Sequence, residues 1–155
     1  EVVPFIQAMT NERNGWSGTP GIITFGCSLG ATHAVNLYFR YPDAFDGVLA
    51  LSGIYTTEYG FPGYMDELVY ANSPVHYLAG MPADHPYIHQ YNQHKGVIVV
   101  GQGPWEGTDS TFQLRDIFFR KGIMGDKELS WKGIGGLLDK CKAKKKSGPK
   151  AEKEG

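Results

Sequence analysis

The stretch from Gly21 to Tyr41 constrains this chain most. The apolar run Gly21-Ile22-Ile23-Thr24-Phe25 leads into Gly26-Cys27-Ser28-Leu29-Gly30 and then into helical spacing. The run is short and β-prone, which predicts a strand. Ala31, Ala34, Val35 and Tyr38 fall at i, i+3, i+4 and i+7 and predict one apolar helix face. Tyr41-Pro42-Asp43 closes that helix, because the residue before a proline is pushed out of helical conformation. Strand, tight turn and helix form the setting in which G-x-S-x-G holds a serine on a strained turn, its hydroxyl exposed above the sheet. Close packing of strand and helix predicts a need for small residues on both sides of Ser28. With 21 glycines in 155 residues the motif alone is weak, and its flanking elements give it weight. Ser28 is thus the candidate nucleophile, and Cys27 is expected to be a small buried residue.

Next comes Phe45-Asp46-Gly47-Val48-Leu49-Ala50-Leu51-Ser52-Gly53, whose apolar centre lacks alternation. This predicts a parallel strand covered on both faces by helices. The run from Phe25 to Tyr55, with G-C-S-L-G-A-T-H-A and F-R-Y-P-D-A-F-D-G-V-L-A-L-S-G-I-Y, resembles the putative-esterase (esterase D-like) group of α/β hydrolases. The resemblance extends over residues 1–123. It implies a truncated α/β-hydrolase fold: a mostly parallel sheet of at least three strands flanked by helices. It also implies a serine carboxylic-ester hydrolase that forms an acyl-enzyme on a small-molecule ester, with no cofactor and no metal. The N–H of Leu29 would supply one oxyanion donor, the other coming from a loop earlier than this chain reaches.

Charge is unevenly placed. Residues 1–139 hold 8 Lys and Arg against 14 Asp and Glu, whereas 140–155 hold 7 Lys against 2 Glu. The acidic body argues against a nucleic-acid partner. The lysine-rich end, within a divergent region 124–155, has no apolar periodicity and is expected to be a disordered, solvated tail. No run of 18 apolar residues predicts a membrane span, no signal-like start is visible, and Cys27 and Cys141 make no disulfide framework. A cytoplasmic protein is expected.

Val2, Val3, Phe5 and Ile6 begin an amphipathic helix that tolerates Pro4 in its first turn, and Asn14-Gly15 and Ser17-Gly18 signal turns. An α/β hydrolase has several strands before its nucleophile, so a chain whose serine is residue 28 reads as a fragment. Its first strand should present an open edge, and with it a route to self-association. Residues 54–95 form a cap-like insertion with 7 of the 9 tyrosines, Phe61, four prolines, His76, His85, His89 and His94. Short helices are predicted at Tyr64–Tyr70, after Ser73-Pro74, and at Pro86–Tyr91. The histidine spacings match no metal-ligand pattern.

Gly96-Val97-Ile98-Val99-Val100-Gly101 predicts a strand, and Leu114, Ile117, Phe118 and Lys121 a helix ending at Gly122. By the resemblance, the loop between them carries the acid of a serine triad. Glu106 is preferred, because Asp109 has an alternative task as a helix cap. The triad order on this fold is Ser, acid, His. Every histidine here precedes Glu106, and His33 is expected on the outer side of the helix after Ser28. Two readings follow: an incomplete serine esterase with Ser28, Glu106 or Asp109 and Leu29 in place, or a non-catalytic remnant serving as a binding module.

Overall fold

The computed structural model describes residues 2–18, 21–101, 103–104 and 106–123. The expected disordered tail lies outside the described residues. Strands β1 (Ile23–Cys27), β2 (Gly47–Leu51) and β3 (Lys95–Val99) pair in parallel, in the order β1-β2-β3. Their register aligns Cys27, Leu51 and Val99, so all three end at one carboxyl edge. The helices described are α1 (Val2–Asn14), α2 (Leu29–Arg40), α3 (Glu67–Ala71), α4 (Pro74–Gly80), α5 (Pro86–Gln93) and α6 (Asp109–Lys121). This is a truncated α/β-hydrolase sheet.

The stripe Ala31, Ala34, Val35 and Tyr38 is buried as its spacing predicts, and α2 packs across β1 and β2. Thr24 locks that contact, donating its buried hydroxyl to the Ala34 carbonyl at 3.0 Å. Tyr41 leaves the helix at φ −132°, one residue before Pro42. At the other end of the chain, Gly122 caps α6 in the left-handed region at φ 66°.

Strand order explains which face is covered. Right-handed crossovers between parallel strands taken in the order 1-2-3 place every connection on the same face. The 54–95 crossover joins the core around α2 through Tyr55, Leu78, Ile88 and Tyr91. α6 joins it as well, with Phe118 5.3 Å from Phe39 between ring centroids. The opposite face, carrying Ile23, Phe25, Leu49 and Val97, receives no crossover. β1 accordingly alternates exposed and buried, and Leu49 and Leu51 of β2 are half-buried. This corrects two expectations: β2 is covered well on one face only, and Cys27 is exposed because it stands on the open one.

The crossover helices begin near their predicted starts, α4 and α5 with proline in the first turn. α3 begins at Glu67, later than Tyr64, because the Asp66 carboxylate caps it by accepting from the Val69 N–H at 2.7 Å. Rings of this segment divide: Tyr55 and Tyr91 are buried, while Tyr59, Phe61, Tyr64 and Tyr70 are exposed. α1 forms as expected but buries none of its residues.

Candidate active site at the carboxyl edge

Ser28 stands between β1 and α2. Its N–H continues the sheet ladder, donating to the Leu51 carbonyl at 2.8 Å. Its own carbonyl starts the helix, accepting from the N–H groups of Ala31 and Thr32 at 2.9 and 3.2 Å. Between these tasks the backbone turns through φ 52°, ψ −124°. For a residue with a Cβ that conformation costs on the order of 1–3 kcal/mol, and such strain clusters at functional sites. A serine before a helix ordinarily caps it with its side chain. Here Ser28 makes no side-chain cap bond, and the residue is exposed.

Gly26 permits the turn. A Cβ there would lie 2.2 Å from the Gly30 carbonyl carbon and oxygen and 2.7 Å from the Ala31 nitrogen, all backbone atoms. Gly30 itself is different, since a Cβ on it would meet nothing within 4 Å. The requirement for a small residue therefore falls on Gly26 alone of the pair. Leu29 opens α2 and is 68% exposed, and a first-turn N–H has no acceptor within its own helix.

The neighbouring strand ends in a second strained serine, Ser52 at φ 53°, whose N–H donates to the Val99 carbonyl at 2.7 Å. The segment after it is strapped on both sides. The Ile54 N–H donates to Thr32 Oγ1 of α2 at 3.0 Å, and the Tyr55 N–H to Ser110 Oγ of α6 at 3.1 Å. Sequence reading missed Ser52, Thr32 and Ser110. The signals available were a Ser-Gly after a strand and a hydroxyl within the first four residues of each helix.

Glu106 folds back over the end of the third strand. A Cβ on Gly101 would lie 2.6 Å from Glu106 Oε1, so the carboxylate rests directly against that glycine. Asp109 is the first residue of α6 and is exposed, with Thr108, not Asp109, in the cap position. Both acids line a cleft of about 560 Å³ together with Ile54, Thr56, Glu58 and Tyr59. Ser28 and Leu29 lie outside that lining. They stand at the same carboxyl edge, two strands from Gly101, roughly 10 Å at the usual strand spacing.

The histidines lie elsewhere. His33 is exposed on α2. His85 Nδ1 accepts from the Tyr87 N–H at 3.2 Å, and His89 Nε2 lies 2.8 Å from Gln93 Nε2. Both belong to α5, which is pinned by Tyr91 Oη donating to the Phe39 carbonyl at 2.6 Å and by Asn92 Nδ2 donating to that of Gly122. Phe39 and Gly122 end α2 and α6, roughly 16–20 Å along each helix from Ser28 and Asp109. His94 follows α5, at the amino end of β3. His76 alone meets a residue of the cleft: its Nε2 is 4.0 Å from Glu58 Oε1, and its Nδ1 is 2.6 Å from Ser73 Oγ. Ser73 is fully buried at the head of α4 and makes no side-chain cap bond there; its Oγ also accepts from the Thr57 N–H at 3.2 Å, so this pair ties α4 to the segment after β2. Among the described residues no group of three or more His, Cys, Asp or Glu could hold a metal ion.

A strained, exposed serine thus stands between parallel strand and helix of an α/β fold, with carboxylates at the same sheet edge. The chain is similar to a solved ferulic acid esterase at a TM-score of 0.56 and 19% sequence identity, over 79% of this chain and 46% of that one. It thus spans less than half the length of that enzyme, and at this identity the likeness speaks for the fold alone. No match is found among curated proteins. Residues 1–124 match the putative esterase family, and the chain belongs to it.

Proposed function

We propose that this chain carries the nucleophile and acid of a serine carboxylic-ester hydrolase acting on a small-molecule ester. The observation that carries the reading is Ser28, strained at φ 52° and exposed where β1 gives way to α2. Its Oγ attacks the ester carbonyl while a histidine base takes the proton, and the Leu29 N–H receives the developing oxyanion. Departure of the alcohol leaves an acyl-enzyme, and water then releases the acid. Glu106, held over Gly101 at the carboxyl edge, is the group that orients the base, with Asp109 in second place.

No histidine follows Glu106 in the sequence, and none of the described ones stands between Ser28 and the acids. Loss of the base costs about 10⁶ in kcat by analogy with a serine protease. Turnover without that base is slow, and this favours a second reading, a binding module that retains the loop without turnover.

The acidic body supports a reading without nucleic acid, and the cytoplasm is the compartment we assign. Among the described residues no helix is long and apolar enough to cross a membrane. The test is hydrolysis of a short activated aryl ester by the chain and by Ser28→Ala, across the pH range in which a histidine titrates. A slow rate that falls in Ser28→Ala supports the hydrolase reading. Equal rates leave the binding module. A Ser28-dependent turnover within the usual range of about 1–10³ s⁻¹ would show that a base is present after all.

A further inference from the structure

Among the described residues, two apolar surfaces are left largely exposed. On α1, Val2, Phe5, Ile6 and Met9 fall at i, i+3, i+4 and i+7 and are 69, 64, 51 and 46% exposed. The other side of that helix, with Val3, Gln7, Thr10 and Asn11, mostly polar, is the partly sheltered one. The helix thus turns its apolar stripe to solvent and its polar side inward, the reverse of a surface helix on its own core. The Asn11 side-chain amide donates to the Gly18 carbonyl and the Trp16 N–H to that of Asn11, fixing this pose against the turn that follows. The second surface is the open sheet face, where Ile23, Phe25 and Val97 are 59, 62 and 49% exposed. Phe25, Leu49 and Val97 form one row across the three strands.

We infer that two copies of this chain associate by laying α1 of each across the open sheet face of the other. Area argues for a second copy. Taking roughly 175 Å² for a large apolar side chain, the exposed fractions amount to ~400 Å² on the α1 stripe and ~300 Å² on the sheet face. Either patch alone is about half or less of what one partner buries in a standard interface. In a reciprocal pair each copy contributes both, ~700 Å² per partner, within the range of stable interfaces. The arrangement is isologous, so it closes at two copies. It also protects the β1 edge, an open ladder with Phe25 and Ile23 beside it.

Sedimentation of the full chain at tens of micromolar tests this, with Phe5→Glu, Phe25→Lys and an equimolar mixture of the two. The chain should sediment as a dimer. Each variant should weaken association by roughly 30-fold or more, as removal of a buried aromatic anchor does. The mixture should regain it, because the mixed pair keeps one unaltered helix-on-sheet contact and sets Glu against Lys in the other. Far-UV circular dichroism checks folding, and Met9→Glu with Ile23→Lys repeats the exchange at a second pair. A monomeric wild type, a continuous series of larger species, or a dimer indifferent to Phe5→Glu would overturn the inference, the last pointing to edge pairing through β1. A mixture that remains monomeric while both variants are folded would overturn it too.

Discussion

Gly26→Ala is the sharpest perturbation of the serine turn, because its cost follows from geometry. The new methyl group would sit 2.2 Å from the Gly30 carbonyl carbon and oxygen, whereas ordinary contact begins near 3.4 Å. Strand and helix must part by about 1 Å, and both obstructing groups are backbone, so no rotamer relieves them. Overpacking a dense interior costs typically 1–3 kcal/mol, and a backbone clash belongs at the top of that range, about 3 kcal/mol. Gly26 has no positive φ, so the effect is steric and not conformational. Gly30→Ala is the built-in control. Its methyl group meets nothing within 4 Å, and within a helix alanine is favoured over glycine by roughly 0.5–1 kcal/mol. Urea unfolding followed by circular dichroism should lower the midpoint of Gly26→Ala by about 1–3 M, taking m as 1–2 kcal/mol/M. The Gly30→Ala midpoint should hold or rise. Equal losses in the two variants would refute the assignment of the close approach to Gly26.

Thr24→Val removes a buried hydroxyl bonded to the Ala34 carbonyl and should cost about 1 kcal/mol, read from the same unfolding curves. Asp66 is held below the usual carboxylate range, first by the Val69 N–H and then by the Tyr64 hydroxyl. A depressed folded pKa gives stability that is present above the unfolded value and lost as pH falls through the folded one. Acid titration by NMR should therefore place its midpoint low, with the Val69 amide shift following it, and Asp66→Asn should abolish that response. Burial raises the phenols of Tyr38, Tyr55, Tyr77 and Tyr91 above their ordinary value. Their contribution is present below the unfolded pKa and lost as pH rises, so in an alkaline absorbance titration these four should ionise only as the fold opens.

Local order was legible in the sequence, because spacing reports it directly. The α2 stripe, the helix stop at Gly122, the proline starts of α4 and α5 and the serine turn all rest on contacts within a few residues. Which side of the sheet is covered was not legible, since it depends on strand order and crossover hand. Cys27 therefore reads as interior yet lies on the open face. Gly26 and Gly30 looked equivalent in the motif, but only coordinates show that the helix backbone crowds the first. The straps from Thr32 and Ser110 join residues 22 and 55 positions apart, beyond any local pattern. The fold-back of the Glu106 side chain over Gly101 was not legible either.

The most direct test of the central claim is the site of covalent modification by an aryl fluorophosphonate, followed by intact mass and peptide mapping. The reagent joins the serine oxygen to phosphorus as fluoride leaves and the hydroxyl proton passes to a base, so with no histidine in place the proton goes to water and the reaction is slow, favoured only where the hydroxyl is exposed beside an oxyanion donor. The account predicts a single slow adduct on Ser28, absent in Ser28→Ala, with Ser52, Ser73 and Ser110 unmodified. Adducts spread over several serines, or a level of modification unchanged in Ser28→Ala, would contradict it.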